Sequence, residues 1–321
     1  MAKKFDVTGL GEAMLEFNQT TPGQPHYLQG FGGDTSNATI AAARAGARTA
    51  YLTRLGTDSF GDALLDLWQR EGVATSTVTR DANAPTGIYF VTHRANGVEG
   101  HDFSYLRAGS AASRMTPHWL RDGADKIIEQ SKILHLSGIS LAISPEACDT
   151  AFAAMALAQS AGTQVSFDVN LRLRLWPLAR AKACITQAVS LCDIFLPSLD
   201  DLVALTGLSD ADALIDWSHA QGAKAVALKL GPEGALVSDG QKRRHIAGHA
   251  VKLVDATGAG DCFCGNFLAR VAAGEDLFEA AAYANAAAAL AVQGFGAVAP
   301  LPTAAEVRAN VQAILRASLS N

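Results

Sequence analysis

The residues best suited to chemistry are Asp255-Ala256-Thr257-Gly258-Ala259-Gly260-Asp261, followed at once by the small and apolar run Cys262 to Asn266. Their order predicts the end of a strand, a tight turn and the first turn of a helix. Gly258 and Gly260 permit backbone shapes and close approaches that a Cβ would block. Bare amides at a helix start, with the positive end of the helix dipole, attract an anion. Asp261 sits in that positive turn and is the only nearby side chain able to take a proton. Anion hole and base together suit transfer of a charged group. The plainer reading is a corner in which Asp261 caps a helix, and a lone Gly-x-Gly pattern leaves both readings open.

Other stretches offer complementary groups. Gly30-Phe31-Gly32-Gly33-Asp34-Thr35-Ser36-Asn37 leads into a helical run at 38–45; Gly33 lets a ligand approach the backbone, while Asp34 and Asn37 suit hydroxyl groups. Asp34 or Ser36 as a plain helix cap is the competing reading. Tyr89 and Tyr105 can pack on a sugar chain and bond to it, and Arg107 can give a carboxylate two charged hydrogen bonds. Singly, these three read as strand-face residues. Asp168-Val169-Asn170-Leu171-Arg172 leaves an apolar strand where open sheets bind ligands, so Asn170 suits a hydroxyl or phosphate oxygen and Arg172 a phosphate or carboxylate. Lys229, Gly231 and Gly234 bracket a strand and turn against which adenine or a polyphosphate fits, although a plain β-turn explains the pattern too.

Several other chemistries lack their residues. There is no Gly-Lys dipeptide for a P-loop, Met14 replaces the third glycine of a dinucleotide fingerprint begun by Gly9-Leu10-Gly11, and neither His-Glu-x-x-His nor Gly-x-Ser-x-Gly occurs. His135 ends an apolar strand and reads as a core histidine. Cys262 and Cys264 read as core fillers, with no partner spacing for zinc.

These groups need a scaffold. The 321 residues are 49% apolar and 18% charged, enough for a large core, and the net charge of -5 argues against nucleic acid or an anionic membrane as partner. The start lacks a signal-peptide pattern and the longest apolar run, 280–292, is too short to span a bilayer, so a soluble cytoplasmic protein is expected. Strands are predicted at 50–55, 133–136, 165–168, 194–196 and 225–230, with helices at 62–70, 145–160, 178–190 and 211–220. This alternation implies an α/β fold with a mostly parallel sheet covered by helices. Residues 14–28 and 86–107 break the rhythm. The latter reads as strands 87–93 and 102–107 about the turn Ala95-Asn96-Gly97, a small antiparallel element fit to cover a site or merely to extend an edge.

Taken together, Gly32-Gly33-Asp34-Thr35-Ser36-Asn37 through Gly61 and Asp255 to Asp261 resemble the two signatures of the ribokinase-like, or PfkB, sugar kinases, over nearly the whole chain. Tyr89, Ser104 to Ser110 and Asp168 to Arg172 look most like the 2-keto-3-deoxygluconate kinases of that family. The resemblance implies one kinase domain over 1–321 with a β lid at about 14–30 and 86–108, and MgATP as phosphoryl donor to the 6-hydroxyl of the acid sugar. It makes Asp261 the base and the Gly258, Ala259, Gly260 and Asp261 turn the anion hole. Gly33, Asp34, Asn37, Tyr89, Tyr105, Arg107 and Arg172 would surround the substrate, the arginines bearing on its carboxylate. Asn170, Lys229, Gly231, Gly234 and Asn285 would line the nucleotide site. Ser198-Leu199-Asp200-Asp201 departs from the family's Asn-x-x-Glu and leaves Asp201 as an indirect magnesium residue. A homo-oligomer is implied. Kinases for fructose, ribose or 2-ketogluconate, and a non-catalytic sugar or nucleotide sensor on the same fold, are the alternatives.

Overall fold

In the computed structural model the described residues are 3–93 and 101–310, so the expected turn at Ala95 to Gly97 lies outside them. The main sheet has eight strands in the spatial order Arg243–Ala247, Gly234–Ser238, Ala225–Lys229, Ile194–Phe195, Gln164–Asp168, Ser131–Ser137, Phe5–Leu10 and Thr49–Leu52. The last six run parallel, and the first two are added antiparallel at one edge. Both faces of the sheet are buried, as parallel strands require. Leu134, Leu136, Val165 and Phe167 pack with Ala151, Ile185 and Leu214 of the helices on one side. Val7, Ile133, Ile194 and Ala227 pack with Ala38, Phe263, Phe267 and Ala284 on the other.

A second sheet of four strands, ordered Tyr27–Gly32, Met14–Gln19, Ile88–His93 and His101–Leu106, is formed by the two stretches that broke the α/β rhythm. Its central pair is parallel and its outer pairs are antiparallel. Asp58 ties it to the body: one carboxylate oxygen caps the helix Ser59–Arg70 at Gly61 N (2.8 Å) and the other accepts from Thr86 N (2.8 Å).

Most predicted elements appear within two residues of their expected ends, including the helix Pro145–Ser160 with Ser144 as its cap. Three expectations change. The strand foreseen at 50–55 divides into Thr49–Leu52, in the main sheet, and Arg54–Gly56, which leaves it to pair with Thr79–Asp81. No strand leads into the Gly258 turn: Val254 N donates to Val292 O (2.8 Å), and Asp255 accepts from Thr257 N and Gly296 N (both 2.9 Å), so side-chain and loop partners replace a ladder. The helix foreseen from residue 38 begins at Asp34, with Gly33 at its cap position (φ 109°) and no side-chain cap; Ser36 Oγ instead accepts from Trp68 Nε1 at 3.0 Å. His135 is a buried core residue whose Nδ1 meets Ser166 Oγ at 3.1 Å, as expected.

The helices Asp34–Arg44 and Ala259–Ala272 pack directly on each other, and Gly265 makes this possible. A Cβ at Gly265 would sit 2.1 Å from Ala38 O and 2.7 Å from Ala41 Cβ. Alanine gains at most about 1 kcal/mol in helix propensity, whereas forcing atoms into a packed seam costs about 1–3 kcal/mol. Gly265→Ala should therefore lower the urea midpoint of unfolding, and an unchanged midpoint would show that the seam yields freely.

Candidate functional site

A cleft of about 1250 Å³ lies between the carboxyl ends of the parallel strands and the second sheet, and every residue singled out from the sequence as a site candidate lines it. Its floor is the Gly258 turn. Gly258 is the cap residue of the helix Ala259–Ala272, in the left-handed region (φ 75°), and no side chain caps that end. Ala259 N donates to Ala256 O at 3.2 Å, and the amides of Gly260 and Asp261, in the first turn, have no partner within the helix. A Cβ on Gly258 would lie 3.0 Å from Ala297 Cα, and one on Gly260 would come within 3.5 Å of Lys229 Nζ. Glycine keeps both the turn and the space between turn and lysine open.

Asp261 faces this space. Its Oδ2 accepts from Asn37 Nδ2 at 2.8 Å, which joins the starts of the two packed helices. Burial, then the negative charge of Asp34, push its pKa up to about 7 against the opposing hydrogen bond from Asn37. Asn37 Oδ1 is buried without a hydrogen-bond partner, an acceptor well suited to a ligand hydroxyl. Asp34 is held by Asn170, whose Nδ2 donates to Asp34 Oδ2 at 2.7 Å. Asn170 is the only non-glycine residue with positive φ (33°) among the described residues, so its backbone carries strain while its side chain serves the Asp34 end of the cleft.

Lys229 Nζ donates to Asp168 Oδ2 at 2.6 Å. Burial would pull the lysine down, but Asp168 outweighs it and holds Lys229 above its ordinary range as a fixed cation. Asp168 Oδ1 is buried without a hydrogen-bond partner. Burial and the charge of Asp168 also raise Asp201, whose amide donates to the capping Ser198 Oγ at 3.2 Å. No group of three or more His, Cys, Asp or Glu residues suited to a metal occurs among the described residues. Two neighbouring carboxylates with a free oxygen do fit a magnesium ion, which keeps several waters and takes its remaining oxygens from phosphates.

At one end of the cleft, Gly231 (φ 61°) and Gly234 (φ 96°) turn the chain back from Lys229, and Leu230 N donates to Gly234 O at 2.8 Å. A Cβ on Gly234 would lie 2.1 Å from Ile246 O. Asn285 lines the cleft, but its amide donates to Ile246 O (2.9 Å) and Ala247 O (3.2 Å), fixing the edge strand. Val251, Leu253, Ala288 and Val292 supply apolar walls nearby.

The opposite end is aromatic and charged. Tyr89 stacks on Tyr105 with centroids 5.5 Å apart, and Tyr105 is 41% exposed. Arg172 is exposed and donates to Leu171 O at 2.8 Å. Two buried acids here escaped the sequence reading. Glu16 accepts from Tyr89 OH at 2.5 Å, and burial raises its pKa. Glu12 accepts from Arg107 Nε at 2.7 Å and from Ser110 Oγ. The signal was present in an acid set between Gly9-Leu10-Gly11 and Ala13-Met14-Leu15, where burial demands a partner.

The raised Asp261 has a consequence for stability. Between pH 4 and about 7 the native state holds a proton on Asp261 that the unfolded chain, with its ordinary carboxyl, has released. Stability therefore falls as pH rises through that window. Asp261→Asn should raise the thermal midpoint at pH 8, with the gain shrinking toward zero near pH 4; a gain independent of pH would refute the shift.

The chain matches the pfkB family carbohydrate kinase profile over residues 4–304. It is 36% identical to a 2-dehydro-3-deoxygluconokinase of Thermoproteus tenax, over 94% of this chain and 93% of that protein. It is 32% identical to fructokinase-2 of Solanum lycopersicum, over 94% of each. A solved fructokinase of Xylella fastidiosa with bound ATP superposes with a TM-score of 0.85 at 27% identity, covering 96% of this chain and 98% of that one. With the doubly covered parallel sheet, the separate small sheet and the glycine turn ending in Asp261, the chain belongs to the pfkB family of carbohydrate kinases and has the ribokinase-like fold.

Proposed function

We propose that the protein transfers the γ-phosphoryl group of ATP to the terminal 6-hydroxyl of 2-keto-3-deoxygluconate. The observation that carries this reading is the meeting, in one cleft, of the Gly258 to Asp261 turn with Asn37, Tyr89, Tyr105 and the cations Arg107 and Arg172. The similarity to the Thermoproteus tenax enzyme, whose name specifies the same sugar acid, supports it.

Each group has a task in that reaction. Asn37 fixes one oxygen of Asp261, leaving the other to take the proton of the attacking hydroxyl. With a pKa of about 7, Asp261 is partly ionised at neutral pH and basic enough to accept that proton. The oxygen freed of its proton attacks phosphorus, the bond to the β-phosphate oxygen breaks, and ADP leaves with the electron pair. The amides of Ala259, Gly260 and Asp261, with Lys229 beside them, hold the negative charge of the moving group. Asp168 and Asp201 would hold a magnesium ion, which when bound neutralises polyphosphate charge. Gly33, Asp34 and the tyrosines hold the sugar, Gly231 and Gly234 border the nucleotide, and Asn170 and Asn285 act by fixing Asp34 and the edge strand. The second sheet, set across the cleft mouth, acts as a lid that excludes water. We place the protein in the cytoplasm, where ATP is available and its five free cysteines stay reduced, and infer that it self-associates through the exposed Leu28 and Leu106 of that lid.

A second reading, phosphorylation of fructose, is favoured by the similarity to fructokinase-2 and by the fact that Arg107 already has a carboxylate partner. A panel of acid and neutral sugars with MgATP separates the two: kcat/KM should be highest for the sugar acid, and a preference for fructose would reverse the assignment. Asp261→Asn should cut kcat by about two to four orders of magnitude, the scale of a general base, while KM changes little. The kcat/KM of the native enzyme should fall about tenfold per pH unit below about pH 7, as the base is protonated. A flat profile between pH 5 and 8 would sink the role of Asp261.

A further inference from the structure

Arg107 is not a free cation. Its Nε donates to Glu12 Oε2 at 2.7 Å and its Nη2 lies against the same oxygen, with the side chains 9% and 1% exposed. Ser110 Oγ donates to the other oxygen of Glu12, so both carboxylate oxygens are engaged. The surroundings are cut to fit this acid. A Cβ on Gly87 would lie 2.8 Å from Glu12 Oε1, and one on Gly33 would lie 2.4 Å from Glu12 O. Glu12 and Arg107 both line the cleft. A ligand carboxylate that reaches Arg107 therefore meets a guanidinium whose charge is cancelled at contact distance, with a second carboxylate behind it. Arg172 and Arg174, exposed on the loop after the strand Gln164–Asp168, differ. Arg172 donates to Leu171 O and Arg174 to Phe103 O (3.2 Å), and neither has an ion-pair partner among the described residues.

We propose that Glu12 determines specificity at the sugar end of the cleft: by cancelling Arg107 it makes that arginine a fixed hydrogen-bond donor to uncharged oxygens and leaves the substrate's carboxylate to Arg172 and Arg174. The inference rests on the sugar-kinase reading above and divides the work between arginines that this reading treats alike. Two opposing effects follow from removing the charge of Glu12. The lost ion pair loosens Arg107, but glutamine keeps the shape and an acceptor oxygen, so little ordering is lost. The charge of Arg107 is then no longer cancelled within the cleft, and its attraction for an anionic ligand there outweighs one loosened side chain. The net effect is tighter binding of anions.

The test measures kcat and KM for 2-keto-3-deoxygluconate and for fructose with saturating MgATP in the native enzyme, Glu12→Gln, Arg172→Gln and Arg174→Gln. Glu12→Gln should lower KM for the acid sugar by roughly 3- to 30-fold, with KM for fructose and both kcat values changed less than about threefold. Arg172→Gln and Arg174→Gln together should raise the acid-to-neutral KM ratio by about tenfold or more. A merely structural Glu12 would alter thermal stability and leave that ratio alone. An unchanged ratio in Glu12→Gln, or a raised KM for the acid sugar, overturns the proposal. Should Glu12→Gln fail to fold, the arginine variants decide: an unchanged ratio there puts the carboxylate on Arg107 and overturns it equally. Failure of the native enzyme to phosphorylate the acid sugar is a separate result, against the substrate and not against Glu12. Inhibition of fructose turnover by gluconate then reads the same effect, tighter in Glu12→Gln if the proposal holds and unchanged if it fails.

Discussion

The hydrogen bond between Asn37 and Asp261 holds together residues 224 positions apart and sits where everything else in the cleft converges. It exists because the helices that begin at Asp34 and Ala259 lie side by side, their backbones drawn close at Gly265. Both helices cover the same face of the main sheet and share one apolar cluster, in which Phe263 and Phe267 are stacked 5.8 Å apart. Burying each such ring stabilises the fold by about 1.5–3 kcal/mol. Packing away from the cleft thus sets the distance between an amide and a carboxylate. Both helices also start without a side-chain cap, so no side chain covers their first amides on the cleft side.

The cleft is a balance of opposed charges. Asp34, Asp168, Asp201 and Asp261 would repel one another if left unaided in a partly enclosed space. Asn170 and Asn37 hold the first and last by neutral amides, and Lys229 holds Asp168 as an ion pair. Asp261 has no such cation, and burial, then the charge of Asp34, raise its pKa to about 7. At the far end the same principle appears in reverse, for Glu12 and Arg107 satisfy each other before any ligand arrives.

Much of this was legible in the chain. Alternating apolar strands and periodic helices dictated a doubly covered parallel sheet, and the two stretches that broke the alternation became the second sheet. The boundaries that shifted did so for local reasons no propensity carries: Asp255 spends its side chain on two loop amides, and Thr53 marks the point where one strand leaves the main sheet for another partner. The candidate residues likewise converge on one cleft. What each side chain touches was a different matter, because hydrogen bonds between residues far apart in sequence are fixed by packing. Asn170 turns to Asp34, and Asn285 spends its amide on the edge strand, although residue type alone permits either to meet a ligand.

By itself, the sequence determined the α/β architecture, the glycine turn and the carboxylate that follows it at a helix start, since hydrophobic period, glycine geometry and residue order are local properties. Only the tertiary structure decided that Asp261 is lifted toward neutrality, that Lys229 is tied to Asp168, and that Arg107 is already neutralised by Glu12. Those are consequences of charge separation and burial, which depend on distances across the fold and are written in no single stretch of chain.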